Sequence, residues 1–191
     1  VLKPSDAVMV AFWAKLGTSE EEVHSAKTLS WSSKGLTDND CNVIAYLISS
    51  GSLDKLERLF LGANQISDAG IIELSLAIAN GSLASLQILD LQSNQIGDSG
   101  MAAFADAIAN GSMANLRNLQ LGGNKIGDAG AVAIAEALDG NKSLKTWWLA
   151  GSWRLSRADG RFAARWCARV ARRLDRLADD PRRPARRREP R

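Results

Sequence analysis

An 11-residue segment recurs three times along this chain at intervals of 30 residues, and this period constrains the fold more than any other feature. The middle copy runs Leu-Gln-Ile-Leu-Asp-Leu-Gln-Ser-Asn-Gln-Ile over residues 86–96. Units of this size cannot bury their apolar side chains alone, so successive copies must stack and share one core. The recurring positions are Leu56, Leu59, Leu61, Asn64 and Ile66 in the first copy and Leu116, Leu119, Leu121, Asn124 and Ile126 in the third.

Each copy has an extended half followed by a helical half. In the extended half leucines alternate with other residues, as in Leu89-Asp-Leu91, which places the leucines on one face of a strand. The helical half opens with Asp-x-Gly and has apolar residues at helical spacing, as at Met101, Phe104 and Ile108. Strands joined by helical crossovers run parallel. Since helices are wider than strands, we predict an α/β solenoid curved like a horseshoe segment, with strands on the concave face and helices on the convex face.

The repeat pattern divides the chain into four regions. Residues 1–25 are predicted to form an N-terminal helical cap, because the end of a stack has no neighbour to cover it. Residues 26–150 hold five repeats, of which one is degenerate with Lys34 in place of the Asn, three are full and one is truncated. Residues 151–180 contain an apolar stripe that suits a C-terminal cap helix, and residues 181–191 are predicted to be a disordered Arg-rich tail.

The charge of the chain changes sign near Gly151. Residues 1–150 carry 10 Lys/Arg and 16 Asp/Glu, a net charge of −6, whereas residues 151–191 carry 14 Arg and 5 acids, a net charge of +9. The basic segment suits nucleic acid, an acidic membrane surface or a nuclear-import receptor as its partner. The loss of Lys, Asn, Gln, Ile, Met, Thr, Tyr and His after Thr146 agrees equally with translation in a wrong frame or across a mis-joined exon.

The Leu-x-x-Leu-x-Leu-x-x-Asn-x-Ile runs and the Asp-x-Gly helix starts resemble leucine-rich repeats of the long, helix-bearing kind. That ribonuclease-inhibitor-like subclass is similar to the Ran GTPase-activating protein and to the repeat domains of NOD-like receptors. The resemblance covers about residues 26–150 and departs from the pattern at Lys34, at Trp147 and throughout residues 151–191. We favour a non-enzymatic scaffold that binds another protein, with regulation of a small GTPase as an alternative that rests on likeness of fold alone.

The residues between the strand leucines are predicted to point away from the helices and to form a partner-binding strip. The alternative is an ordinary solvated face, and binding is favoured because Phe60 and Trp148 suit interface hot spots. Asn64, Asn94 and Asn124 are predicted to be structural, since a buried amide after each strand can bond backbone groups that the turn leaves unpaired. The predicted partner-binding residues are Arg58, Phe60, Ile88, Asp90, Gln92, Asn118, Gln120, Thr146 and Trp148.

Signatures of catalysis are absent from the sequence. His24 is the single His, no Cys/His spacing suits a metal, and the Gly pair at 122–123 lacks the Lys-Ser/Thr of a phosphate loop. We therefore expect no enzyme activity, no cofactor and no metal. Cys41 and Cys167 are expected to be buried thiols, which favours a cytoplasmic location, or a nuclear one if the Arg-rich tail is genuine. A monomer without a membrane span is expected, and the start at Val1 rather than Met indicates a fragment or a processed product.

Overall fold

The computed structural model describes residues 2–80, 83–140 and 146–148, with side chains described as far as Leu138. Within this part of the chain, strands alternate with helices in one five-stranded parallel sheet whose strand order follows the sequence. This alternation confirms the predicted α/β solenoid of parallel strands joined by helices. The strands are β1 (Thr28–Ser30), β2 (Arg58–Phe60), β3 (Ile88–Asp90), β4 (Asn118–Gln120) and β5 (Thr146–Trp148), and the helices are α1 (Asp6–Leu16), α2 (Glu20–Ser25), α3 (Asp38–Ser49), α4 (Asp68–Ala79), α5 (Asp98–Ala109) and α6 (Asp128–Gly140).

The chain divides into two compact units, Val1–Arg154 and Leu155–Arg191. Every strand and helix named above belongs to the first unit. The predicted C-terminal cap helix of residues 151–180 and the predicted Arg-rich tail of residues 181–191 lie outside the described residues.

The core lies between the sheet and the helices and is built from the leucines of the strand alternation. Leu59, Leu89 and Leu119 are aligned side by side in the register of the parallel sheet, and each is at most 3% exposed. The helices contribute the facing side chains, for example Ile71 and Phe104, which are also buried. Because each side chain of this size stabilises the fold by roughly 1.5–3 kcal/mol when buried, the repeated leucines explain why short strands of three residues suffice.

The first two helices cover the core of the degenerate first repeat. The ring of Phe12 in α1 is 1% exposed and meets the ring of Trp31 edge-on, with 5.7 Å between the ring centroids. Trp31 occupies the position that Leu61 holds in the next repeat. Beside this contact, Lys15 Nζ donates to Asp40 Oδ2 at 2.7 Å, which ties α1 to the start of α3. The bulky aromatic pair therefore fills the space where a preceding repeat would otherwise pack.

The turns after β1, β2, β3 and β4 each have a residue in the left-handed region at the same position of the repeat. The φ angles are 57° at Ser33, 55° at Ala63 and 54° at Ser93, whereas the equivalent Gly123 has 71°. This conformation is unfavourable by roughly 1–2 kcal/mol for a residue with a Cβ, whereas glycine adopts it without this cost. The turn geometry is thus imposed on non-glycine residues by the packing of neighbouring repeats.

We expect Ala63→Gly to raise the free energy of unfolding by about 1 kcal/mol, because glycine relieves the left-handed strain at an exposed position. Ala102→Gly in the exposed face of α5 is the matched control, and it should lower the free energy of unfolding by about 1 kcal/mol. Urea unfolding of the full chain measures both. Destabilisation by both substitutions would show that the turn is unstrained.

Candidate functional site

The candidate site is the side of the sheet that faces away from the helices, called the strand face below. The parallel register arranges its residues in two rows across the five strands. The backbones of Thr146 and Trp148 lie in these rows, but their side chains lie outside the described residues. The first row is Thr28, Arg58, Ile88, Asn118 and Thr146, and the second is Ser30, Phe60, Asp90, Gln120 and Trp148.

The structure places most of the predicted binding residues at the surface of the strand face. Arg58 is exposed, as is Gln92, which follows β3. Four further members are half-buried, so part of each side chain is exposed on the strand face. These four are Phe60, Ile88, Asn118 and Gln120.

Asp90 departs from the expectation of a solvated acid at the centre of the strip, because it is only 5% exposed. The cause lies just after the neighbouring strand β2, where Gly62 has no side chain. A Cβ built on Gly62 would lie 3.0 Å from Asp90 Oδ2 and 3.1 Å from Gln92 Cγ. Asp90 and Gln92 therefore occupy the space above Gly62, and Gln92 covers the carboxylate. The glycine at position 62 was the sequence signal for this burial.

The carboxylate of Asp90 is bonded by Gln92 alone among the described residues. The backbone N–H of Gln92 donates to Oδ1 at 2.9 Å, and its side-chain Nε2 donates to Oδ2 at 3.3 Å. Burial raises the pKa of the Asp90 carboxyl, and these two hydrogen bonds oppose the rise. The neighbours in register, Phe60 and Gln120, are uncharged, and none of the ion pairs within the described residues includes Asp90.

We expect the stability of the chain to fall with rising pH through the titration of Asp90. The pKa of this carboxyl is higher in the folded chain than its unfolded value of about 3.9, so the folded state binds more protons between the two values. The free energy of unfolding therefore decreases as pH rises through this window, and the loss is complete above the folded-state pKa. Asp90→Asn should remove this decrease and should be at least as stable as the parent at neutral pH.

Urea unfolding of the parent and of Asp90→Asn, followed from about pH 4 to pH 7, measures this difference. Asp106→Asn, an exposed acid on α5, is the control and should keep the decrease seen in the parent. Parallel pH profiles for the parent and Asp90→Asn would show that burial of Asp90 has no energetic consequence.

Three asparagines connect the turn of each repeat to the preceding repeat, and we call this set the Asn ladder (Asn64, Asn94 and Asn124). Asn94 is 6% exposed; its Oδ1 accepts from the N–H of Ile66 at 3.1 Å, and its Nδ2 donates to the carbonyls of Leu61 and Leu91 at 3.0 Å. The other two are buried and bond the matching groups of their own and the preceding repeat. Their amides are fully used by backbone groups and face away from the strand face.

A second set of inter-repeat bonds does not follow from the sequence pattern, which marks the Asp of each Asp-x-Gly only as the start of a helix. Asp98 does begin α5, but its Oδ1 accepts from the N–H groups of Gly127 and Gly130 in the next repeat, at 2.7 and 2.9 Å. We call Asp38, Asp68 and Asp98 the Asp ladder, since Oδ1 of Asp38 accepts from the N–H groups of Ser67 and Gly70 and Oδ1 of Asp68 accepts from the N–H of Gly97. The glycine two residues after Asp68, Asp98 and Asp128 was the available signal.

The two ladders make their bonds in opposite directions along the chain, and this explains why the first repeat lacks the Asn but keeps the Asp. Each Asn bonds the repeat before it, whereas each Asp bonds the repeat after it. The first repeat has no repeat before it, and Lys34 stands at its Asn position. It does have a repeat after it, and Asp38 is retained there, with Oδ1 accepting from the N–H of Ser67 at 2.8 Å.

The surroundings of His24 and Cys41 indicate structural roles. His24 lies exposed in α2, and its Nδ1 is 2.9 Å from the backbone carbonyl oxygen of Glu20. Cys41 is buried in α3, where burial, followed by the nearby charges of Asp38 and Asp40, raises the pKa of its thiol and keeps it protonated. Among the described residues, no group of His, Cys, Asp or Glu side chains is placed to hold a metal ion. The described helices are all too short or too polar to cross a lipid bilayer.

Comparison with known proteins agrees with the repeat geometry. Residues 82–105 and 112–135 match the family model described as Leucine Rich repeat. Among solved structures, the chain is similar to the leucine-rich-repeat ectodomain of the receptor kinase SOBIR1 from Arabidopsis thaliana, with 16% sequence identity and a TM-score of 0.34. That alignment covers 78% of this chain and 96% of the other. No match was found among curated proteins.

Proposed function

We propose that the chain is a non-enzymatic scaffold that binds another protein through its strand face. The observation that carries this proposal is the combination of exposed Arg58 with half-buried Phe60 and Ile88 on adjacent strands. Partly exposed apolar side chains next to a guanidinium are the composition of interface hot spots. Leucine-rich repeats, which residues 82–105 and 112–135 match, are in general protein-interaction modules.

The two ladders indicate that the residues that hold the repeats together differ from the residues proposed to bind a partner. The Asn ladder and the Asp ladder use buried or part-buried side chains that bond backbone groups between repeats. The described side chains of the strand face contribute none of these bonds between repeats, and Asp90 and Gln92 bond only each other. Its side chains can therefore vary with the partner without loss of the fold, and a rigid sheet presents them with little entropic cost on binding.

The ribonuclease-inhibitor-like subclass is part of the proposal. It is supported by the spacing of 30 residues between successive strands from β1 to β4 and by the full α-helix of 12 or 13 residues in each described repeat. Regulation of a small GTPase would rest on that likeness alone. Nucleic-acid binding would depend on residues 151–191, which lie outside the described residues.

A cytoplasmic location and a monomeric state complete the proposal. The buried free thiol of Cys41 agrees with a reducing compartment, in which thiols stay unpaired. A monomer is supported by the strand face itself, because its rows mix Thr, Ser, Asn and Gln with the apolar residues, unlike the apolar surface of an obligate dimer.

Pull-down from a lysate of the source organism tests the proposal with two variants of the full chain. The strand-face variant carries Arg58→Ala, Phe60→Ala and Ile88→Ala. The matched control carries Ile72→Ala and Leu76→Ala on the opposite, helical side of the repeats, where Leu76 is 58% exposed.

We expect proteins captured by the parent to be lost from the strand-face variant and kept by the helix-side control. Circular dichroism should show the same folded spectrum for all three chains. Capture that survives in the strand-face variant, or that is lost only in the control, would contradict binding through the strand face.

A further inference from the structure

Resting on the proposed function, we propose that the strand face recognises an Arg or Lys side chain of the partner protein, whose cationic head group binds Asp90 Oδ2. The head group would lie beside Phe60, in the row that also contains Gln120. This assigns the central residue of the strand face a role in partner selection rather than in the fold.

The two oxygens of Asp90 are held unequally. Oδ1 accepts a bond of 2.9 Å from the backbone N–H of Gln92, which fixes the orientation of the carboxylate. Oδ2 accepts only the side-chain amide of Gln92, at 3.3 Å, which is longer than the usual range for such a bond. The Gln92 side chain is exposed and can rotate away. Oδ2 is therefore the position at which a stronger donor can replace a weak one.

A cation is the donor that this carboxylate lacks. Asp90 is 5% exposed, and none of the ion pairs within the described residues involves it. A covered carboxylate without a positive partner is costly, and a cationic donor adds a charge–charge attraction that the neutral amide of Gln92 cannot supply. The raised pKa of Asp90 agrees with this deficit. Exchange of the Gln92 amide for a partner's guanidinium or ammonium would relieve it.

The surroundings of Asp90 favour one basic side chain rather than several. Phe60 is half-buried beside it in register, so part of its aromatic side chain is open to the stem or head group of the incoming side chain. Arg58, on the same strand as Phe60, is exposed and positively charged, so it opposes a second cation nearby. The partner chemistry that fits is a single Arg or Lys flanked by apolar or acidic residues.

A phage-displayed library of random peptides, selected on the immobilised full chain, tests the inference. We expect Arg or Lys to be enriched at one position of the selected peptides. Binding should weaken by about tenfold or more on Asp90→Asn, which keeps an acceptor for the Gln92 N–H but removes the charge. Replacing the basic residue of a selected peptide by Gln should weaken its binding to the parent chain equally, and this arm requires no protein variant. Gln92→Ala should bind at least as tightly as the parent.

Phe60→Ala separates this inference from the proposed function. Peptides that are lost on Phe60→Ala but bind Asp90→Asn and the parent equally would overturn the inference and leave the strand face as the binding surface. If no selected peptide weakens on Phe60→Ala, both the inference and the proposed function are wrong.

Discussion

Replacing Asn94 by Ala is expected to lower the free energy of unfolding by roughly 3 kcal/mol. The N–H of Ile66 would lose the Asn94 Oδ1 that accepts from it at 3.1 Å, in a position closed to water. The carbonyls of Leu61 and Leu91 would each lose one of their donors, although the amides of Asn64 and Asn124 would still bond them. Most of the expected cost is therefore the buried N–H left without an acceptor.

Urea unfolding of the full chain, followed by far-ultraviolet circular dichroism, measures this loss. Asn42→Ala is the matched control, because Asn42 lies on the exposed face of α3 and the substitution should change stability by less than about 0.5 kcal/mol. An Asn94→Ala chain as stable as the control would show that the turns do not depend on the Asn ladder.

The second large effect is expected for Gly100→Ala, which should lower the free energy of unfolding by about 3 kcal/mol. On the exposed face of a helix, Gly→Ala would instead raise the free energy of unfolding by about 1 kcal/mol. The direction of the change therefore distinguishes a steric clash from an effect of helix propensity. A Cβ on Gly100 would lie 2.7 Å from Asp68 Oδ1 and 3.0 Å from Asp68 Cα, and it would also clash with Ile71 Cγ2. Because Asp68 Cα belongs to the backbone, α4 and α5 would have to move apart.

Ser99→Ala is the control for this clash, since Ser99 is the exposed neighbour of Gly100 in the same helix. It should be neutral or slightly stabilising, because Ala is the better helix former. If Gly100→Ala were also neutral, the close approach of α4 and α5 at the Asp ladder would be refuted. Measurement by the same urea titration allows the two values to be compared directly.

The architecture could be predicted from the sequence because its signals are periodic. Recurrence of Leu89, Leu91 and Asn94 at 30-residue intervals defined which side chains are buried, and the structure aligns the leucines in register. The sequence also predicts the helix starts at Asp68 and Asp98, since each of these residues precedes an apolar stripe of helical period. Such inferences need only the local pattern and the rule that units of this kind stack.

What could not be predicted depends on contacts between repeats. The period-2 rule places Asp90 on the solvated side, but its exposure depends on Gly62, which is 28 residues earlier in sequence and follows the neighbouring strand β2. Likewise, the carboxylate of Asp98 bonds N–H groups 29 and 32 residues later, so its partners are invisible to a rule about its own helix. Both failures concern side chains that reach a neighbouring strand or helix.

The two ladders also suggest how binding can change without loss of the fold. Residues that connect repeats are buried after the strands or at the helix starts, as Asn94 and Asp98 are. Side chains such as Arg58 and Ile88 make no bond between repeats in the described part of the chain. Substitution on the strand face should therefore alter partner choice at small cost in stability.

Hydrogen exchange of the native chain tests the central claim, which is that the Asn ladder joins the repeats into one stack. The backbone N–H groups of Leu36, Ile66 and Ile96 each donate to an Asn Oδ1 of the following repeat, at 3.0, 3.1 and 3.1 Å. We expect these three amides to be protected as strongly as the strand-pairing amides of Leu61 and Leu91, and to exchange only when the whole stack unfolds. Exchange of these three at the rate of unprotected loop amides would contradict the account.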